Sequence, residues 1–285
     1  MNQKIKKQIS RIGAVFFSAV VFSSFMSNTF YANEQDKLNH QLLKLASSGE
    51  WNHYCTKIST FEKLILKGAD VNVRDNYGTT PLHHAAKRCN IELCKLLIDK
   101  GADINSKDCN DRTPLHYAIN SIDGIKEKYN NKISNFYDYY DYYDYFVDAR
   151  RGYYRLIQFL LDQGADVNAQ DNDGNCPLVI ANIYGFRDIS ELLLNHPKLD
   201  VNIKDNNGMT LIDYAAVAGW YDGCAVLIDK GAKVIDLNRT LKIIDDTYKN
   251  HCALNFPFYP EKLLYNLDRM RDLLINKFST SESQH

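Results

Sequence analysis

The chain of 285 residues lacks a net charge of any consequence, carrying a formal -1 at pH 7. There is therefore no general electrostatic reason to expect nucleic acid or an anionic membrane as a partner. Catalytic signatures are missing too: no Gly-rich phosphate loop, no HExxH, no GxSxG and no His/Cys cluster at metal spacing. The carboxylates are scattered along turns, so neither an enzyme, a metal site nor a cofactor is expected, and no small-molecule substrate. Cysteines are present but not in pairs. Seven of them, with no CxxC, make neither a disulfide framework nor a zinc site.

Only one uncharged apolar run stands out. Lys4, Lys6, Lys7 and Arg11 precede Ile12 to Met26, fifteen apolar and small residues. As a helix that run is roughly 22 Å long, short of the ~30 Å hydrocarbon core. A basic start, a short apolar stretch and small residues after it describe a secretory signal over residues 1–32, with Ala32 the best cleavage point. An uncleaved anchor, and an artefact of the start site in a cytosolic protein, are the two alternatives.

What the chain has in abundance is self-similarity. LKGADVNVRDNYGTTPLHHAA (66–86) is followed by DKGADINSKDCNDRTPLHYAI (99–119), DQGADVNAQDNDGNCPLVIAN (162–182) and LDVNIKDNNGMTLIDYAAVAG (199–219), then DKGAKV (229–234). Each unit reads physically. Gly68, Gly101, Gly164 and Gly231 end an apolar helical run where a positive φ is needed. Thr80, Thr113 and Thr210 can cap the next helix, and Pro81, Pro114 and Pro177 suit its first position. Leu82, Ala85 and Ala86 pack inward, and Leu93, Leu96 and Leu97 recur at helical spacing in a second helix.

These segments resemble ankyrin repeats: a G-A-D-V-N turn, a D-x-x-G turn, then T-P-L-H-x-A-A opening a helix, recurring in register over about residues 36–237. The expected fold is an all-α solenoid of about five helix-turn-helix units with projecting hairpin loops. The units are a degenerate first repeat (36–74), then 75–107, 108–170, 171–204 and 205–237, followed by a helical cap (238–278) and a tail (279–285) expected to be disordered. In this C-terminal region Asn238 is the expected N-capping residue of one helix, RTLKIIDDTYKN, and Leu263, Leu267, Met270 and Leu274 share one face of another. A separate partner-binding role for that last helix is the alternative.

The cysteines then fall at places that resist pairing. Cys94 and Cys224 share one register in repeats two and five, roughly 30 Å apart with ~10 Å between layers. Thiols that cannot pair suit a reducing compartment, which sits awkwardly with a periplasmic one. One reconciliation is a bacterial protein exported onward into the cytosol of a host cell.

The resemblance implies a protein-binding module whose hairpin tips and first helices form the contact face. By register the contact candidates are Asn76, Tyr77, His84, Lys87, Arg88, Asn110, Tyr117, Asp173, Tyr184, Asn207 and Tyr214, the tyrosines as aromatic anchors. Cys109, Asn120, Asn172 and Asn206 lie in the same registers. The expected partner is a protein of unspecified identity, a host protein among the options; a periplasmic or membrane-tethered structural scaffold is the alternative function. The resemblance also implies that His83 and His116 hydrogen-bond to the turn, while His84 faces the surface.

The third repeat spans 63 residues and so carries an insertion, 122–152, between a first helix ending near Ser121 and a second at 153–163. Inside it FYDYYDYYDYF (136–146) repeats with period three. Helix is feasible there and strand is not, since period-two alternation is absent. Expansion of a short codon tract explains the run most simply; acid-flanked tyrosines could otherwise be a phosphorylation or docking site.

Overall fold

A computed structural model describes residues 34–48, 54–130, 136–253 and 260–278. The secretory-signal reading of residues 1–32 and the tail 279–285 fall outside that range. The described residues form an all-α solenoid. After α1 (34–47) come α2 (Tyr54–Leu66), α3 (Pro81–Lys87), α4 (Ile91–Asp99), α5 (Pro114–Asn130), α6 (Phe136–Asp162), α7 (Pro177–Ile183), α8 (Arg187–Leu194), α9 (Leu211–Val217), α10 (Tyr221–Asp229), α11 (Leu237–Ala253) and α12 (Pro260–Phe278). First helices stack in one layer, α3 on α5 on α7 on α9 on α11. Second helices α6, α8, α10 and α12 stack in the other. Among the described residues β pairing is confined to a bridge between Lys204 and Thr210.

Close stacking is possible because the inward positions are small. Ala85, Ala86, Ala118, Ala181, Ala215 and Ala216 are fully buried between first helices, and Leu82, Leu93, Leu97, Leu115, Leu156 and Leu160 fill the space around them. Each such leucine contributes roughly 1.5–3 kcal/mol by leaving water. Leu96 is only half-buried and packs on the core edge. The glycines before the turns, Gly101 at φ +89 among them, take the left-handed conformation their register requires.

Layers are also stitched by a ladder of side-chain amides. The Asn72 carbonyl accepts the Asp103 N–H at 2.7 Å while its amide donates to Gly101 O at 3.0 Å. Asn105 and Asn168 do the same toward the next unit, and Asn202 accepts from Lys233 N. Asn39 in α1 accepts from Asp70 N at 2.8 Å, so the degenerate first unit joins the ladder.

Two sequence expectations are corrected here. The third repeat's first helix does not end near Ser121, and its second does not begin at 153: α5 runs to Asn130 and α6 starts at Phe136. The cause is one register position. Eight residues after the first helix residue, repeats two, four and five have Cys89 (φ 54), Gly185 (φ 70) and Gly219 (φ 59), each left-handed and each ending its helix. Repeat three has Ile122 there. A β-branched residue strongly disfavours that conformation, so the helix continues, with Ile122 fully buried. The tyrosine–aspartate run is thus helical backbone at the start of α6. Nearer the stack, the Tyr153 hydroxyl donates to Lys87 O at 2.8 Å, and Arg150 forks onto Asp188 of α8 through Nε at 3.1 and 3.0 Å.

The second correction concerns the cap. Asn238 lies inside α11; the capping residue is Asp236, whose carboxylate accepts the Arg239 N–H at 2.9 Å. Leu267, Met270 and Leu274 of α12 are fully buried, as their spacing predicts; Leu263 lies among side chains outside the described set. The five described cysteines are all free, and burial pushes the Cys89 and Cys224 thiols up to about 12.

Candidate partner-binding face

Every hairpin tip is built on one aspartate. Oδ1 of Asp75 accepts the N–H groups of Tyr77 and Thr79, both at 2.9 Å. Asp108 does so for Asn110 and Arg112, Asp171 for Asp173 and Asn175, and Asp205 for Asn207 and Met209. Short polar side chains fold turns in this way. Tips then bond to each other: Cys109 N donates to Tyr77 O, Asn172 N to Asn110 O and Asn206 N to Asp173 O. The row of tips is therefore a continuous hydrogen-bonded rim.

The second carboxylate oxygen is closed from the first helix. Tyr117 and Tyr214 donate their hydroxyls to Oδ2 of Asp108 and Asp205, each at 2.8 Å, and His84 Nε2 lies 3.4 Å from Asp75 Oδ2. Burial opposes ionisation of all three aspartates, yet hydrogen bonds outweigh it and hold each carboxyl below its usual range. For Asp75 these come from Thr79 and Tyr77 N–H; for Asp108 and Asp205 the tyrosine hydroxyl adds to the backbone donors. Tyr117 is pushed up to about 12, by burial first and then by its bond to Asp108.

Behind the rim, His83 and His116 make the bonds that the family pattern implies. His83 Nδ1 accepts from Thr80 N at 3.1 Å, which leaves the proton on Nε2 to donate to Arg112 O at 3.0 Å. His116 spans from Thr113 N to Asn175 O, at 3.1 and 3.2 Å. Each histidine therefore ties one turn to the next. Burial drives the His83 pKa down to about 4, the carbonyl of Arg112 only partly offsetting it.

The eleven expected contact residues divide into three groups. Asn76, Tyr77 (75% exposed), Lys87, Asn110, Asp173 and Asn207 are exposed. Tyr117, Tyr184 and Tyr214 are half-buried. His84 and Arg88 depart from expectation. His84 is half-buried against Asp75 rather than facing the surface, its pKa lowered by burial. Arg88 sends Nη1 to Ala46 O at 2.6 Å and Nη2 to Ser47 O, closing the end of α1. Asn172 and Asn206 likewise spend their amides on neighbouring tips.

Five of the eleven converge. Tyr77, His84, Lys87, Asn110 and Tyr117 line one cleft of about 290 Å³ between the second and third repeats, with Arg112 at its edge. A neighbouring cleft of about 340 Å³ holds Tyr184 with Arg112, Asn120, Asp171, Asn175, Ile180 and Ile183. Asn76, Arg88, Asp173, Asn207 and Tyr214 line neither. Arg112, Asp171, Asn175, Ile180 and Ile183 are among the cleft residues that sequence reasoning missed. The signal was present, since Ile180 shares the register of His84, Tyr117 and Tyr214, and Ile183 that of Lys87 and Asn120. An apolar residue in those registers does not announce itself as a contact.

Among the described residues no group of His, Cys, Asp and Glu is arranged to hold a metal ion, and no helix is long and apolar enough to cross a membrane. A family model described as ankyrin repeats (3 copies) matches residues 43–128 and 146–238, and one for the single ankyrin repeat matches 110–172. Rabankyrin-5 of Mus musculus is 37% identical over 59 residues, 21% of this chain and 5% of its own length. Ankyrin repeat protein OPG189 of Variola virus is 31% identical over 87 residues, 30% of this chain and 16% of the viral protein. Human transient receptor potential cation channel subfamily A member 1 is 32% identical over 84 residues, 29% and 7% of the two chains. The chain thus spans 16% or less of the length of these relatives.

Proposed function

The chain belongs to the ankyrin-repeat family, and from that premise we propose that it is a non-enzymatic module that holds a protein partner against its hairpin tips and first helices. One observation carries the reading: the cleft between the second and third repeats gathers an exposed tyrosine, a lysine and a ring of polar groups on a rigid scaffold. Its aspartates are already saturated by backbone and side-chain donors. The groups left to a partner are therefore the Tyr77 ring and the Lys87 ammonium, the kind of aromatic and cationic anchors that concentrate interface energy. The proposal extends to export of the chain by residues 1–32, with a host-cell protein as partner. The sequence supports this through the basic start and short apolar run at Lys4 to Met26.

Affinity capture from the source cell and its host, with wild type beside Tyr77→Ala and Lys87→Glu, tests the surface. Each variant is expected to lose a captured partner about tenfold, while Glu92→Ala, at an exposed position of α4, retains it. Equal retention by all three would overturn the assignment. Terminal sequencing of the mature protein tests export: a chain beginning near Asn33 supports it, and an intact Met1 counts against it.

A further inference from the structure

In three of the four well-formed tips the second aspartate oxygen is closed by the residue three positions into the following helix: His84, Tyr117 or Tyr214. The fourth repeat breaks this rule. Its residue in that register is Ile180, 5% exposed, which has no donor to offer. Asp171 spends Oδ1 on the N–H groups of Asp173 and Asn175, and its Oδ2 receives no hydrogen bond among the described residues. Asp171 lines the cleft of about 340 Å³ together with Ile180 and Ile183, and Ile183 is 56% exposed. Arg112 lines the same cleft without an ion pair to Asp171: its Nε stands 3.5 Å from Asp108 Oδ2 without a hydrogen bond, and its guanidinium lies 5.7 Å from the centre of the Tyr117 ring. Exposed Asp173 adds further negative charge nearby.

A carboxylate oxygen without a hydrogen bond, beside the exposed side chain of Ile183, suits a side chain that is charged at its end and aliphatic along its stem. We propose that this cleft seats a lysine or arginine side chain from an extended segment of the protein partner. The cationic head is bound by Asp171 Oδ2 and the stem lies against Ile183. A charge-assisted hydrogen bond is among the stronger polar contacts, and long basic side chains bury their methylenes while the head stays polar. The partner's cation thus takes the place that Tyr117 and Tyr214 fill from within the chain. This inference rests on the protein-binding reading above and names the chemistry of one pocket within it.

The test uses the full chain, immobilised, to select peptides of about twelve residues from a random displayed library; the recovered peptide is then the probe. Recovered peptides are expected to share a lysine or arginine at a fixed position, and their binding to weaken as sodium chloride rises. Asp171→Asn keeps an oxygen for the turn but removes the anionic acceptor, so affinity is expected to fall about tenfold or more. Ile180→Tyr introduces the hydroxyl that two other repeats already carry, filling the acceptor from within, and is expected to abolish binding. Melting temperatures close to wild type for both variants would show that the stack is intact. Peptides without a shared basic residue, or bound equally by Asp171→Asn and Ile180→Tyr, would overturn the pocket. Peptides that respond to Tyr77→Ala or Lys87→Glu but to neither of those two would remove this pocket while leaving the binding face standing. Peptides indifferent to all four variants, or no recovery at all, would count against both.

Discussion

Lowering the pH from 7 to 4 is expected to remove about 3 kcal/mol of folding stability through His83 alone. His83 is fully buried and neutral, with one ring nitrogen accepting from Thr80 N and the other donating to Arg112 O. Burial lowers its pKa from the ordinary 6.5 to about 4. In the unfolded chain the ring titrates near its ordinary value. Above about pH 6.5 both states are neutral and stability does not depend on this group. As the pH falls from there toward 4, the unfolded state takes up a proton that the folded state refuses. Stability therefore declines by up to ~1.4 kcal/mol per pH unit across that window and flattens below it. His116, buried likewise, shifts in the same direction. Asp75, Asp108 and Asp205 act lower: their contribution is present above their ordinary pKa and is lost as they are protonated. Urea unfolding measured at intervals from pH 8 to 4 checks the prediction. His83→Gln should be less stable at neutral pH and should show a shallower decline. An unchanged slope would mean that His83 is not the titrating group.

Replacing Asp213 with leucine is expected to cost about 2–4 kcal/mol and to loosen the C-terminal helices selectively. Asp213 stands in the register of His83 and His116, yet it does more than imitate them. Oδ2 accepts from Thr210 N at 2.9 Å and from the Thr210 hydroxyl at 3.1 Å. Oδ1 accepts the Thr240 hydroxyl of α11 at 2.6 Å, and Arg239 lies 3.5 Å from Oδ2. A histidine would present an N–H to the next element, which suits a backbone carbonyl. Here the next element is a helix offering a hydroxyl and a guanidinium, so an acceptor is required. Asp213 is 3% exposed, and leucine would leave the Thr210 N–H without a partner and the Thr240 hydroxyl with only its 3.1 Å bond to Asp236 O. Asp213→His, which restores the pattern of the inner repeats, is likewise expected to destabilise, because it sets a donor against Arg239. Hydrogen exchange should show faster opening of α11 and α12 in both variants, with α3 to α5 little changed. Uniform loosening of the whole stack, or none, would contradict the assignment.

These two cases mark where sequence reading succeeds and where it stops. The T-P-L-H histidines were legible because the motif carries both their position and their local partner, three residues away. Asp213 was visible as a departure from pattern, but the reason for it depends on Arg239 and Thr240 beyond the repeats. His84 and Arg88 were misjudged for the same cause. A register tells which way a side chain leaves its helix and does not tell whether a neighbouring unit closes over it. Arg88 finds its carbonyls more than forty positions earlier in the chain.

The length of α5 and α6 is an intermediate case. A substitution of Gly by Ile at a helix stop is readable in principle once the repeats are aligned by that stop, because the left-handed conformation is set by the residue itself. The sequence by itself determined the all-α solenoid, the repeat register, the buried alanines and leucines, and the histidine bonds. Those depend on conformational preferences and apolar spacing that act within a few residues of each other. Tertiary structure alone decided that Arg88 is committed to the end of α1, that Asp213 meets Thr240 and that five of the eleven contact residues share one cleft. Such pairings follow from how successive units stack, and hydrogen bonds such as those between residues 27 and 66 positions apart are settled only when that stacking is complete.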